Sequence, residues 1–274
     1  MKRRKVATRK LRAARIVSGL LAAVTAFGVG SAHARKKKPA GPPPDLPGHV
    51  AYLARQLYGL DIEDAKPITD QIQKLVISHM NAWMVNRSPN IVEVRHELDR
   101  VFAKLQYPAV AISSSFRASW KNAELIGAGY TLAWSDIWRV NTLVIYENQN
   151  GQSREVATTN FVPRADQHYA VIQPSAAGDF RLLVYGFELG KSHPSLTAVL
   201  YSFDGTKLEQ QWKAGGLFDG KITVNGDTIV IRYLNEDEFI RATQQGHLPP
   251  RHEKLYKITP QGVQLESEHD IPYQ

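Results

Sequence analysis

Tyr130, Trp134 and Trp138 recur at every fourth position of GYTLAWSDIW. In a strand, side chains alternate between faces, so this spacing puts all three rings on one side. Facing water, such a row stacks on sugar rings. Facing inward, it is core, which is the commoner role of large aromatics and the expected one here. The second stretch with chemical capacity is NEDEFIRATQQGHLPPRHEK, residues 235–254. Glu236, Glu238, Arg241, His247 and His252 supply both charge signs and two imidazoles, and a histidine beside a carboxylate is a general acid or base. An excursion of this length between strands is often a binding loop. Its plainer reading, and the expected one, is a surface helix with a proline-stiffened return.

Other chemistry is missing from the sequence. It contains no H-E-x-x-H, P-loop, G-x-S-x-G or S-x-x-K pattern. Absence of cysteine removes disulfides, thiolate metal sites and thiol nucleophiles. The nine histidines show no ligand spacing. His79 falls on an apolar helical stripe and reads as a hydrogen-bonded core residue. His168 and His193 flank strands, and spacing does not show whether they meet. Ser113, Ser114 and Ser115 read as strand hydroxyls rather than nucleophiles. No catalytic residue, metal or cofactor is assigned.

The elements that position these residues change character near Pro108. Residues 48–106 read as three amphipathic helices. Val50, Leu53, Leu57 and Leu60 mark the first. Ile68, Ile72, Leu75, Val76, His79 and Trp83 mark the second, starting at Pro67. Ile91, Val94, Leu98, Val101 and Leu105 mark the third, with Ser88 as its cap and Pro89 in its first turn. From 107 to 274 the period is two. Asn150-Gly151, Asp204-Gly205 and Asn225-Gly226 predict tight hairpins. Only 235–252 is long enough for a crossover helix, so the sheet is expected to be antiparallel. Asn235 and Glu238 have capping spacing there, and Gly246 ends the helix. The reading is an α+β fold: a short N-terminal three-helix module, then a mainly antiparallel β domain, either a sandwich or partial propeller-like stacked sheets. LYSFDGTKLEQQWKAGGLFDGKITVNGDTIVIRYL resembles a pair of β-propeller blade hairpins. The strand region is nevertheless short for a complete propeller at roughly 40–45 residues per blade.

The net charge of +8 suggests an acidic partner, but its distribution argues otherwise. Residues 1–34 hold eight cations and no acid, which leaves 26 cations against 26 acids. Setting aside Arg35, Lys36, Lys37 and Lys38 leaves 22 against 26. A surface that tracks phosphates needs clustered cations, so nucleic-acid binding by the folded part is not expected. The basic start, the apolar run 16–30 and the Ala32-x-Ala34 arrangement match a signal peptide cut after Ala34. An uncleaved anchor is the alternative, but a 15-residue helix spans only about 22 Å of a roughly 30 Å hydrocarbon layer. Arg3-Arg4 resembles the twin-arginine leader pattern, although its flanks depart from it and general secretion is preferred. RKKK at 35–38 and the prolines of 39–47 then form a basic, stiff stalk, with the cations as a weak tether to an anionic surface. The sequence therefore predicts an exported protein, periplasmic or extracellular, that binds or assembles without catalysis. A polysaccharide or an envelope protein is the expected partner. The rival is a secreted hydrolase with its site around 235–254.

Overall fold

A computed structural model describes residues 41–161, 167–172, 180–189 and 194–271. The leader and the cations of 35–38 lie outside them, as does His193. Residues 41–274 form one compact unit, so helices and strands share it.

Three helices come first: α1 (Leu46–Arg55), α2 (Ile62–Met84) and α3 (Ile91–Phe102). Each is started by a side chain that accepts from the first free backbone N–H groups. The Asp45 carboxylate takes Gly48 N at 2.9 Å, so the end of the proline-rich stretch is already helix. Asp61 takes Glu63 N and Asp64 N at 3.0 and 2.9 Å, which starts α2 five residues before Pro67. Pro67 thus lies inside the helix, where it has no N–H to donate to the Glu63 carbonyl. Asn90, not Ser88, caps α3. Asn90 and Glu93 form a reciprocal capping box, which satisfies more donors than a serine two residues earlier. Ser88 instead accepts from Asn148 Nδ2 at 2.8 Å.

The strands β1 (Val110–Trp120), β2 (Ala123–Ala133), β3 (Arg139–Gln149) and β4 (Gln152–Asn160) form a four-stranded antiparallel sheet in sequence order. A second antiparallel sheet, also ordered as the chain runs, contains β5 (His168–Ile172), β6 (Arg181–Leu189), β7 (Pro194–Phe203), β8 (Leu208–Asn225), β9 (Thr228–Leu234), β10 (Arg251–Thr259) and β11 (Gly262–Ile271). Helix α4 (Glu236–Gln244) connects β9 to β10. Positive φ at Asn150, Gly151, Gly205 and Gly226 closes three of the hairpins, as the dipeptides predicted. The predicted blade hairpins of 200–234 span the end of β7, all of β8 and β9, which lie side by side in one sheet.

Alternation divides the core into three parts. Ile126, Ala128, Tyr130 and Leu132 of β2, with Val144 and Tyr146 of β3, face the helices. Leu125, Leu143, Ile145 and Phe116 face the opposite way, onto Leu182, Val184, Val199 and Tyr201 of the second sheet. The far side of β6 and β7 is closed by their own sheet, which brings Ile229, Ile231 and Ile258 against Leu183, Leu196 and Leu200. Strand β8 makes that return possible. Its first part pairs with β7 and its last part with β9, and its register slips on both sides of Phe218. Bulges of this kind bend a strand.

Candidate functional site

The aromatic row is core. Tyr130 and Trp134 are 2% and 1% exposed. Strand β2 ends at Ala133, so Trp134 and Trp138 belong to the β2–β3 turn, joined by Trp134 N donating to Trp138 O at 3.2 Å. The Tyr130 ring packs 4.9 Å from that of Phe102, and Trp134 Nε1 donates to Leu60 O at 3.0 Å. Burial drives the Tyr130 phenol above its ordinary range. Tyr130 and Trp134 therefore fasten the helices to the sheet and offer no open face to a sugar. Trp138 is half-buried against the same cluster.

In 235–254 the structure brings together two of the five predicted residues. Asn235 caps α4, accepting from Asp237 N at 3.0 Å and Glu238 N at 3.3 Å, and Gly246 takes positive φ at its end. Glu238 then projects onto β10, where it meets His252 Nε2 at 2.6 Å. The other ring nitrogen, Nδ1, lies 2.8 Å from Asp270 on β11, and the imidazole packs against Tyr233 at 5.3 Å. Next along the same face, Tyr233 Oη donates to Glu268 at 2.9 Å, and Lys254 Nζ is 3.2 Å from that carboxylate. Desolvation raises the Glu268 pKa, but the bonds from Tyr233 and Lys254 outweigh it and the net shift is downward. Glu236, Arg241 and His247 are exposed and stand apart from this cluster. Arg241 Nε donates to Asp237 O within its own helix, at 3.2 Å.

With both nitrogens of His252 bonded to carboxylates, neither is presented to a substrate. The arrangement clamps α4 and β11 to β10. Sequence spacing missed Asp270 for a definite reason. The hairpin closes with Thr259 opposite Gly262, a register that would set His269 against His252. The bulge at Leu255/Tyr256 moves it by one residue, and that places Asp270 there instead. His79 has a comparable role: it hydrogen-bonds the buried Glu97 across α2 and α3, and Arg100 Nη2 reaches the same carboxylate at 2.5 Å. Arg100 is the main cause of a lowered Glu97 pKa, followed by His79, against the cost of burial. Among the described residues, no group of three His, Asp or Glu side chains is placed to hold a metal ion. His168 stacks on Tyr185 at 5.3 Å.

A different region has the form of a binding surface. A cleft of about 500 Å³ opens between the α1–α2 connection and the ends of β1, β2 and β3. Tyr58, Tyr107, Val110 and Ile112 line it, and all four are exposed, Tyr107 to 92%. Ile137, in the β2–β3 turn, is exposed as well. Beside it runs the outer edge of β1, with which no strand pairs among the described residues. Nothing in the sequence flagged this surface.

No known protein family matches this chain. No curated protein matches it either. No helix among the described residues is long and apolar enough to cross a membrane.

Proposed function

We propose that this chain is an exported envelope protein with a non-catalytic binding role, and that its ligand is an extended segment of another protein laid along β1. The carrying observation is the coincidence of an unpaired strand edge with exposed apolar side chains at its start. An unpaired edge presents a row of N–H and C=O groups that an extended peptide completes, while alternate side chains enter the adjoining cleft. In this reading the three helices are a module that stiffens the first sheet from behind, and the two sheets act as a sandwich holding β1 in place. The leader pattern of residues 1–34 supports export, and RKKK at 35–38 supplies the tether to an anionic surface. The hydrolase reading loses support from the engagement of both His252 nitrogens.

The probe is a soluble ten-residue peptide of alternating valine and threonine, followed by hydrogen exchange. The expected result is slowed exchange of the amides of 110–114. Ile112→Lys should weaken binding about tenfold, or about 1.4 kcal/mol, whereas Ile240→Lys on α4 should leave it unchanged. Equal binding by both variants overturns the site. Concentration-dependent protection without peptide would assign the edge to a second copy of the chain instead. Amino-terminal sequencing of exported protein should begin at Arg35; a first residue of Met1, or one beyond Lys38, removes the tether.

A further inference from the structure

A second cleft, of about 290 Å³, lies under α2 where β3 begins and β4 ends. Its apolar wall is Ile62, Val140 and Phe161. Its polar wall is a small network with a fixed sense. Gln73 Nε2 donates to Asn160 Oδ1 at 2.9 Å, and Thr142 Oγ1 donates to the same oxygen at 3.1 Å. A carbonyl oxygen has two lone pairs, so two donors fill it. Asn160 therefore turns its Nδ2, a donor, away from the network. Gln73 keeps its second N–H as a donor and its Oε1 as an acceptor. Gln73 and Asn160 both line the cleft, so their remaining amide donors and the Gln73 oxygen are left for a ligand. One turn earlier on α2, Lys66 Nζ and Asp70 Oδ2, 2.7 Å apart, line the same cleft as a second donor–acceptor pair. Arg139, on the β3 side, is turned back onto the Asp136 carbonyl at 2.8 Å.

From this geometry we infer that the cleft binds a single neutral sugar ring. Neighbouring hydroxyls each donate and accept, so they match paired amides better than a carboxylate or a phosphate would. The C–H face of a pyranose matches an apolar wall opposite a polar one. Lys66 and Asp70 offset each other's charge, and the Arg139 guanidinium is occupied by the Asp136 carbonyl. The volume is at the lower end of ligand pockets, which run from roughly 300 to 1,000 Å³, and so suits one ring rather than an oligosaccharide. This site is separate from the β1 edge, and neither proposal depends on the other.

The test uses D-glucose, D-mannose, D-galactose and N-acetyl-D-glucosamine, each at about 10 mM, well above a millimolar Kd. The readout is the side-chain amide resonances of Gln73 and Asn160. At least one sugar should shift both. Gln73→Leu keeps the volume and should lose binding about tenfold, and Asn160→Ala should do likewise. Thr142→Val removes one of the two donors to the Asn160 oxygen and should weaken binding about threefold while both amides remain. Tyr107→Ser, in the other cleft, should leave sugar binding unchanged. Failure of all four sugars to move these resonances overturns the proposal, as does full binding by a folded Gln73→Leu protein.

Discussion

Strand β11 closes its sheet with Glu266, Glu268, His269 and Asp270 among ten residues, whereas β1 closes the other sheet with Arg117 as the one charge among eleven. A free edge invites pairing with other chains, and charges, bulges or covering elements are the usual deterrents. The β10–β11 ladder adds a bulge. Strand β4, the remaining edge of the first sheet, has a bulge in its ladder with β3 and is bridged by α2, through Asn81 to Glu155 at 2.6 Å and Gln73 to Asn160. Strand β1 has none of these over Val110–Ser114. Its single cation is already held, by Glu124 at 3.1 Å and by the Pro89 carbonyl at 3.2 Å. Of these three edges, β11 and β4 are defended and β1 is left receptive, and the receptive one borders the apolar cleft.

The contrast can be broken most severely from beneath. The end of β2 beside the cleft is held by Trp134, so Trp134→Ala should cost about 4 kcal/mol in urea unfolding. A loss below 1 kcal/mol would mean that the cleft does not rest on a packed core. The next largest effect concerns α3, which covers the inner part of β1 and is tied to α2 by Glu97. With its pKa lowered, Glu97 contributes stability in full above the ordinary carboxyl range, and that contribution is lost as pH falls through the folded pKa. Glu97→Gln should cost about 2 kcal/mol near neutral pH and flatten the acid limb of the stability curve. An unchanged acid limb would place the acid sensitivity elsewhere. The comparison is sharpened by lysine placed on each edge in turn. Ile112→Lys should raise the peptide concentration needed for protection about tenfold, while Leu265→Lys on β11 should alter neither exchange nor association. The smallest effect is expected inside that sheet, between β9 and β10. Arg232, 2.6 Å from Glu253, is well exposed, and Arg232→Gln should change stability by less than about 1 kcal/mol, declining further in high salt.

Much of the scaffold was legible. The stripe of Val94, Leu98 and Val101 marked α3, and the Asn-Gly and Asp-Gly dipeptides marked hairpins, because these signals depend only on neighbours along the chain. Boundaries were less legible where two caps competed, as Ser88 and Asn90 did. The length of β8, unbroken from Leu208 to Asn225, was not legible either, because it bends where the glycines allow. The sites were the least legible. Glu238 and His252 were visible as a charged excursion, but Asp270 reaches them only through a bulge. The chain gives no local sign that the start of β1 extends beyond what covers the rest of it. Exposure is a property of two sheets together, and neither sheet's sequence contains it alone.

Strand β2 has no side chain at 127 or 129 on the face toward the second sheet. The Phe116 ring fills the first gap, so close that a Cβ on Gly127 would stand 2.1 Å from it, and the Tyr169 hydroxyl fills the second equally closely. Each gap and its plug belong to different strands, so neither can be altered by a single codon without a collision or a hole. In any chain sharing this fold, positions 116 and 127 should change together, and so should 129 and 169. These two pairs act as a lock and key cut within one sequence, and they allow distant homologues to be recognised by correlated substitution when overall identity has faded.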